Sequence, residues 1–149
     1  GAKRSGFQGG IICPMLVRWP GKINPGTETD LLSTHYDFLA TLADVGGVDV
    51  PPGKDSISYL PTLLGLPQKK THDYVVVQNR RTYMGSSAVI ARDGFKLIET
   101  GKQRDEYQLY NILEDPMEQA ELSSRYPEKV EHLRKLLKKE VVSERPDLL

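Results

Sequence analysis

The sequence predicts an α+β fold, in which a small antiparallel sheet of about four strands is covered by a carboxy-terminal helix. Short runs of β-branched and aromatic residues follow one another after residue 73, and turn residues separate them, as is typical of a strand meander. After the last run the apolar residues change to helical spacing. A strand and a helix in the first third of the chain are predicted to precede this module, as the end of a larger domain.

The predicted strands lie between well-marked turns. They are Tyr74–Gln78, Ser87–Arg92, Phe95–Glu99 and Gln108–Ile112. The dipeptide Asp93-Gly94 separates the second strand from the third, and it favours a tight hairpin. Asp115-Pro116 ends the last strand, because proline cannot donate to a strand ladder.

A terminal helix is predicted to begin at Pro127, since proline suits the first position of a helix. Its apolar face is formed by Val130, Leu133, Leu137 and Val141. This face would cover one side of the sheet.

In the first third, the apolar run Ile11–Trp19 predicts a strand, and Pro14 places it at an edge or a bulge. A helix follows, with Asp37 as its N-cap and Gly46-Gly47 at its end. The apolar face predicted for it consists of Phe38, Leu39, Leu42 and Val45.

Composition excludes several classes of function. Lys and Arg number 20, as do Asp and Glu, so no basic excess suggests nucleic acid as a partner. The apolar stretches are too short to span a bilayer, and no membrane partner is expected. Cys13 is the only cysteine and is predicted to be a buried thiol. The three histidines are too scattered for a metal site, so none is predicted within the chain.

Lys3 opens a glycine-rich segment that ends in Gly9-Gly10. A lysine on such a loop can reach an anion as a point charge, while the glycines let backbone amides approach it. On these residues alone, a solvated terminal loop is the commoner case.

Further motifs follow Lys3 in an order that resembles the carboxy-terminal region of the sulfatases. The matching segments are Lys3–Gly10, Val17–Gly26, Asp37–Leu42, Asp55–Gly65, Arg92–Ile98 and Leu109–Leu122. The sequence departs from the family pattern at Gln8, where an acid is usual, at Ala40, where proline is common, and at Ser56, where glycine is common. Agreement in order over almost the whole chain makes the resemblance specific.

The resemblance implies that the parent protein is an arylsulfatase-type sulfuric ester hydrolase of the alkaline-phosphatase superfamily. Its calcium ion and its formylglycine nucleophile would lie upstream, so the isolated chain would hold neither and would be inactive. Lys3 would contact the sulfate of the substrate. Cys13 does not match the nucleophile motif, because Val17 stands where that motif has arginine.

The resemblance also implies the domain organisation and partners. Residues 1–66 would be the end of the large α/β domain, and residues 67–149 the antiparallel subdomain. The partners would be the amino-terminal catalytic portion of the same protein and a sulfated small molecule or sugar. Family habit also leads us to expect a periplasmic or extracellular parent.

A polar segment in the second half could add contacts to a sulfated sugar. Arg80 and Arg81 offer two guanidinium groups, and Tyr83 offers an aromatic face. A solvated hairpin loop remains the simpler interpretation of these residues. Two other functions also stay open for the chain: a non-catalytic module that binds sulfated glycans, and part of a related phosphate or phosphonate ester hydrolase.

Overall fold

The computed structural model describes residues 5–78, 87–100 and 106–142 of the 149-residue chain. Two compact units divide it, one made of Gly1–Cys13 with Tyr74–Leu149 and the other of Pro14–Asp73. The helices are α1 (Gln8–Ile11), α2 (Asp37–Gly46), α3 (Leu60–Leu63) and α4 (Pro127–Val142). The strands are β1 (Tyr74–Gln78), β2 (Ser87–Ala91), β3 (Phe95–Thr100) and β4 (Glu106–Asn111). The predicted division after residue 66 stays a prediction.

The four strands form one antiparallel sheet in the order β1-β2-β3-β4. Ile90 of β2 lies opposite Lys96 of β3, and Lys96 lies opposite Tyr110 of β4. The predicted α+β class, with a four-stranded sheet and a terminal helix, is confirmed. Among the described residues, no helix is long and apolar enough to cross a membrane.

One face of the sheet packs against α4. The cluster between them is at most 1% exposed and comprises Val89, Leu97, Leu109, Leu133 and Leu137. Full burial of a leucine side chain contributes roughly 1.5–3 kcal/mol. The two leucines of α4 belong to the predicted apolar face, and their spacing along the helix places both on the sheet.

The opposite face is covered by the amino-terminal segment of the same unit. Phe7 packs against a second buried cluster, which consists of Ala88, Ile98 and Tyr110. Lys96 stands on this face as well, because side chains alternate along a strand and Leu97 faces α4. The side chain of Lys96 is fully buried. Both faces of the sheet are therefore covered within this unit.

The turn between β2 and β3 requires glycine. The N–H of Gly94 donates to the carbonyl of Ala91 at 3.0 Å. Gly94 has a φ of 85°, which residues with a side chain rarely adopt. A Cβ added there would lie 2.5 Å from Cγ of Leu113. The hairpin predicted from Asp93-Gly94 is confirmed.

Gly94→Ala is expected to lower the free energy of unfolding by roughly 2–4 kcal/mol, from left-handed backbone strain and steric overlap together. Chemical denaturation followed by circular dichroism measures the loss. Leu113→Ala removes the overlapping atoms, and the side chain of Leu113 is 63% exposed. The double variant should therefore recover the steric part. Equal losses in the single and double variants would refute the overlap.

The predicted strand Ile11–Trp19 is not formed among the described residues. Gln8–Ile11 is helical, and residues 12–18 are not paired as a strand with any described segment. The β-branched run does favour extended backbone, since Ile12 has φ −69° and ψ 132°. A strand also needs a hydrogen-bonded neighbour, and without one Ile12 is 67% and Leu16 98% exposed. Cys13, predicted to be buried, is exposed in the same segment.

Helix α2 ends at the predicted Gly46-Gly47 and begins one residue before the predicted start, but the side predicted to be buried is exposed. Its buried residues are Asp37, Ala40, Thr41 and Ala43. The predicted apolar face is 40–63% exposed and consists of Phe38, Leu39, Leu42 and Val45. Small and polar side chains thus attach α2 to its own unit, which leaves its large apolar side chains largely uncovered by the described residues of that unit.

Candidate functional site

The residues predicted to contact substrate fall outside the described residues. They are Lys3, Arg80, Arg81 and Tyr83. Their roles therefore stay predictions. The residues that follow Lys3 are described from Ser5 onward, and both Ser5 and Gly6 are buried.

A buried ion pair lies directly behind this amino-terminal segment. Nζ of Lys96 is 2.5 Å from Oε1 of Glu118, and the two side chains are 0% and 2% exposed. Lys96 reaches the site from β3. Glu118 reaches it from the loop after β4, where the Asp115 carboxylate accepts the N–H groups of Gln119 and Ala120 at 2.6 and 2.8 Å.

The ion pair also binds the amino-terminal segment. The backbone N–H of Gln8 donates to Oε2 of Glu118 at 2.7 Å. Nζ of Lys96 donates to Oε1 of Gln8 at 3.3 Å. The ring of Phe7 meets the ring of Tyr110 edge-on, with centroids 6.1 Å apart. We call these five residues the amino-terminal anchor.

The charged groups of the anchor fix the neighbouring backbone and are not arranged for proton transfer. Burial lowers the pKa of Lys96, while the hydrogen bond and charge of Glu118 oppose that shift. Burial also raises the pKa of Tyr110, and the Glu121 and Glu118 carboxylates add to the rise. Because both charged side chains are enclosed and occupied by each other, the pair fixes neighbouring backbone and offers no open position to a substrate.

The sequence did not reveal the anchor. Asp115, Pro116 and Glu118 form a turn, as their sequence indicates, in which the N–H of Glu118 donates to the carbonyl of Asp115 at 3.1 Å. The ion pair of the Glu118 side chain with Lys96 is not evident from that turn. Glu118 points into the fold because its backbone adopts φ 55°, an uncommon conformation for a residue with a side chain. A lysine within the apolar strand β3 was the available signal, since a buried lysine requires a carboxylate partner.

A second buried polar cluster lies in the other unit and centres on Asp37. This carboxylate is nearly enclosed, and the residue is 1% exposed. It accepts the N–H of Thr34 and the N–H of Ile57, both at 2.8 Å. Tyr36, not Asp37, is the N-cap of α2. The predicted cap is thus wrong by one residue, because the carboxylate binds segments on either side of the helix instead of its first turn.

Asp37 also binds a histidine. Nε2 of His72 lies 2.9 Å from Oδ1 and 3.0 Å from Oδ2 of Asp37. The ring of Tyr36 meets the ring of His72 edge-on at 5.6 Å between centroids. His72 is thus a buried histidine whose Nε2 is paired with a carboxylate.

The described residues do not fit the cofactors that the resemblance implies. Calcium takes about six to eight oxygen ligands. Within the described ranges, no group of three or more His, Cys, Asp or Glu residues could hold a metal ion. The exposed Cys13 lacks the sequence context of a formylglycine precursor. Calcium and formylglycine remain predictions for the rest of the full-length protein.

Comparison with known proteins decides the family. The model of the N-sulphoglucosamine sulphohydrolase carboxy-terminal family matches residues 2–147. The chain belongs to this family of sulfatase carboxy-terminal regions. The resemblance found in the ordered motifs is thereby confirmed.

Individual sulfatases match over different lengths. N-acetylgalactosamine-6-O-sulfatase of Bacteroides thetaiotaomicron is 32% identical over 149 aligned residues, which cover 92% of the chain and 29% of that relative. Steryl-sulfatase of Rattus norvegicus is 36% identical over 77 residues, or 50% of the chain and 13% of that relative. One solved structure is of a protein in complex with its substrate, D-glucosamine-2-N,6-O-disulfate. It matches with a TM-score of 0.63 and 26% sequence identity, and the match covers 83% of this chain and 26% of the other protein's chain. The chain therefore spans less than a third of these relatives.

Proposed function

We propose that the full-length protein hydrolyses sulfate esters and that this chain supplies the carboxy-terminal wall of its active site. The family match over residues 2–147 carries the proposal. Negative charge grows on the sulfuryl oxygens and the leaving oxygen during such a reaction, so fixed cations at the site accelerate it. In this chain, we assign that role to Lys3. The amino-terminal anchor supports the assignment, because it fixes the segment that follows Lys3.

The substrate class proposed is a sulfated amino sugar. The sulfatase relative that matches 92% of the chain acts, by its name, on N-acetylgalactosamine-6-O-sulfate groups. A structural neighbour binds a sulfated glucosamine. The steryl-sulfatase, whose name gives a different substrate, matches half of the chain. Arg80, Arg81 and Tyr83 are proposed to contact the sugar, since guanidinium groups pair with sulfate and an aromatic face stacks on a sugar ring.

The proposed partner is the amino-terminal catalytic portion of the same protein, which would bring the calcium site and the nucleophile. Exposed apolar side chains of this chain support it. On α2 the four apolar residues named above are 40–63% exposed, and in the segment after α1 Leu16 is 98% exposed. Apolar surface of this kind marks contact with another protein surface. The chain by itself is therefore proposed to be inactive.

Sulfate release from a panel of sugars tests the proposal. We expect the full-length protein to release sulfate from 6-O-sulfated hexosamines, and this chain alone to release none. The matched control is the same sugar with a phosphate in place of the sulfate. Faster phosphate release would favour a phosphate ester hydrolase. Glycan affinity without turnover, weakened by Arg80→Ala or Arg81→Ala, would favour a binding module instead.

A further inference from the structure

Residues 5–11, which we call the strap, belong to the sheet unit although the whole of the other unit follows them in the chain. That other unit is Pro14–Asp73. The backbone does not join the strap directly to any described strand, so non-covalent contacts hold it on the sheet. The first two residues of the strap are buried, and Phe7 packs against the cluster that contains Tyr110.

The buried pair Lys96–Glu118 makes one of these contacts in a way that apolar side chains could not. Taking two charges out of water costs about as much as their attraction returns, so well-packed apolar side chains often stabilise a fold equally well. An apolar side chain, however, cannot accept a backbone hydrogen bond. Glu118 uses one carboxylate oxygen for Lys96 and the other for the N–H of Gln8. That N–H lies in the first turn of α1 and has no partner within the helix.

The loop that carries Glu118 adopts an unfavourable conformation. We call residues 115–120 the Glu118 loop. The φ of Glu118 is 55°, which costs energy for a residue with a Cβ atom and persists only where surrounding contacts maintain it. The carboxylate of Glu118 makes two such contacts, with Lys96 and with Gln8. If the strap left the sheet, the contact with Gln8 would be lost and the left-handed backbone would have less support.

We infer that the strap and the Glu118 loop form a latch, in which each segment holds the other on the sheet. When the strap is docked, the N–H of Gln8 binds the carboxylate and maintains the left-handed backbone at Glu118. When the strap lifts, the carboxylate loses this donor, Phe7 leaves the ring of Tyr110, and the loop relaxes. The two segments therefore open together, while α4 stays packed on the opposite face through its own apolar cluster. The latch does not depend on the activity proposed for the full-length protein.

Gln8→Pro in the full-length protein removes the N–H that closes the latch. Proline suits the first position of a helix. Phe7 already has φ −74° and ψ 158°, the extended backbone that a residue before proline adopts. Gln8→Ala is the matched control, since it removes the side-chain contact to Lys96 and keeps the N–H. Amide hydrogen exchange, followed by mass spectrometry, measures the opening of each segment.

Backbone hydrogen bonds in both segments make the opening measurable. In the strap, the N–H of Gly10 donates to the carbonyl of Phe7 at 2.8 Å, and in the loop the N–H of Glu118 donates to the carbonyl of Asp115 at 3.1 Å. We expect the amides of both segments to exchange about 10- to 100-fold faster in Gln8→Pro than in Gln8→Ala, because a hydrogen bond to a charged acceptor is lost. The amides of α4 should exchange at an unchanged rate.

Two changes of the acceptor test whether the lost N–H acts through Glu118. Glu118→Gln with Lys96→Met keeps an uncharged, weaker acceptor and leaves no buried charge unpaired. In that background, the amides should exchange only about three- to ten-fold faster in Gln8→Pro than in Gln8→Ala. Glu118→Leu with Lys96→Met offers no acceptor, and there the ratio should fall below about two-fold.

Three results would overturn the latch. The first is a ratio of exchange rates that is the same in all three backgrounds, because the N–H of Gln8 would then act through another group. The second is a strap that exchanges faster in Gln8→Pro while the Glu118 loop does not, because the two segments would then open independently. The third is faster exchange of α4 to the same extent as the strap, because the whole unit would then unfold together.

Discussion

On the function proposed above, replacing Lys3 with alanine in the full-length protein is expected to lower kcat about 10²- to 10³-fold, which is the range seen when one preorganised stabilising group is removed. The ammonium would face negative charge that grows in the transition state. In a site from which water is excluded, this attraction is far stronger than in solution. Steady-state sulfate release from a 6-O-sulfated hexosamine measures the effect.

Two controls sharpen this prediction. Lys3→Arg keeps the positive charge and should retain more activity than Lys3→Ala, although its planar group is placed differently. Lys22→Ala removes an exposed lysine of the same chain and should leave kcat unchanged. If Lys3→Ala behaves like Lys22→Ala, Lys3 does not belong to the active site, while membership of the sulfatase family is unaffected.

The sheet was predictable because its signals are local. Asp93-Gly94 requires a tight turn, and β-branched runs on either side of it supply the strands. In α4, the spacing of Leu133 and Leu137 fixes which side of the helix faces the sheet, and both leucines are at most 1% exposed. Neighbouring residues alone determine such features, so the sequence is enough to find them.

The buried polar clusters were not predictable because their signals are not local. Lys96 and Glu118 are 22 residues apart, and Gln8 is 88 residues from Lys96. No periodicity connects such positions. The side chain of Glu118 points inward because the backbone of Glu118 itself is left-handed. An Asp-Pro turn in the sequence does not predict that conformation.

The strand predicted at Ile11–Trp19 and the face predicted for α2 failed for a related reason. An apolar pattern predicts that a surface is buried, but it does not predict which part of the protein buries it. The pattern in α2 is amphipathic, yet its large side chains are the exposed ones, and Ala40 and Ala43 are buried. Among the described residues, large apolar side chains of both segments therefore stay exposed.

Asp37→Ala is expected to lower the free energy of unfolding of its unit by about 3–5 kcal/mol, because buried donors lose their acceptor. The backbone N–H groups of Thr34 and Ile57, and Nε2 of His72, all depend on this carboxylate. An alanine leaves these groups unpaired in a space from which water is largely excluded. Hydrogen exchange of the amides in residues 34–57, followed by mass spectrometry, measures the loss in the full-length protein.

Asp37→Asn distinguishes lost hydrogen bonds from lost packing, since it keeps the size of the side chain and one acceptor oxygen. It should recover part of the stability. Asp44→Ala, at an exposed position of the same helix, should change the free energy by less than about 0.5 kcal/mol. Unchanged amide protection of residues 34–57 in Asp37→Ala would contradict this prediction. Because this carboxylate is already surrounded by donors within 3.0 Å, we expect loss of protection instead.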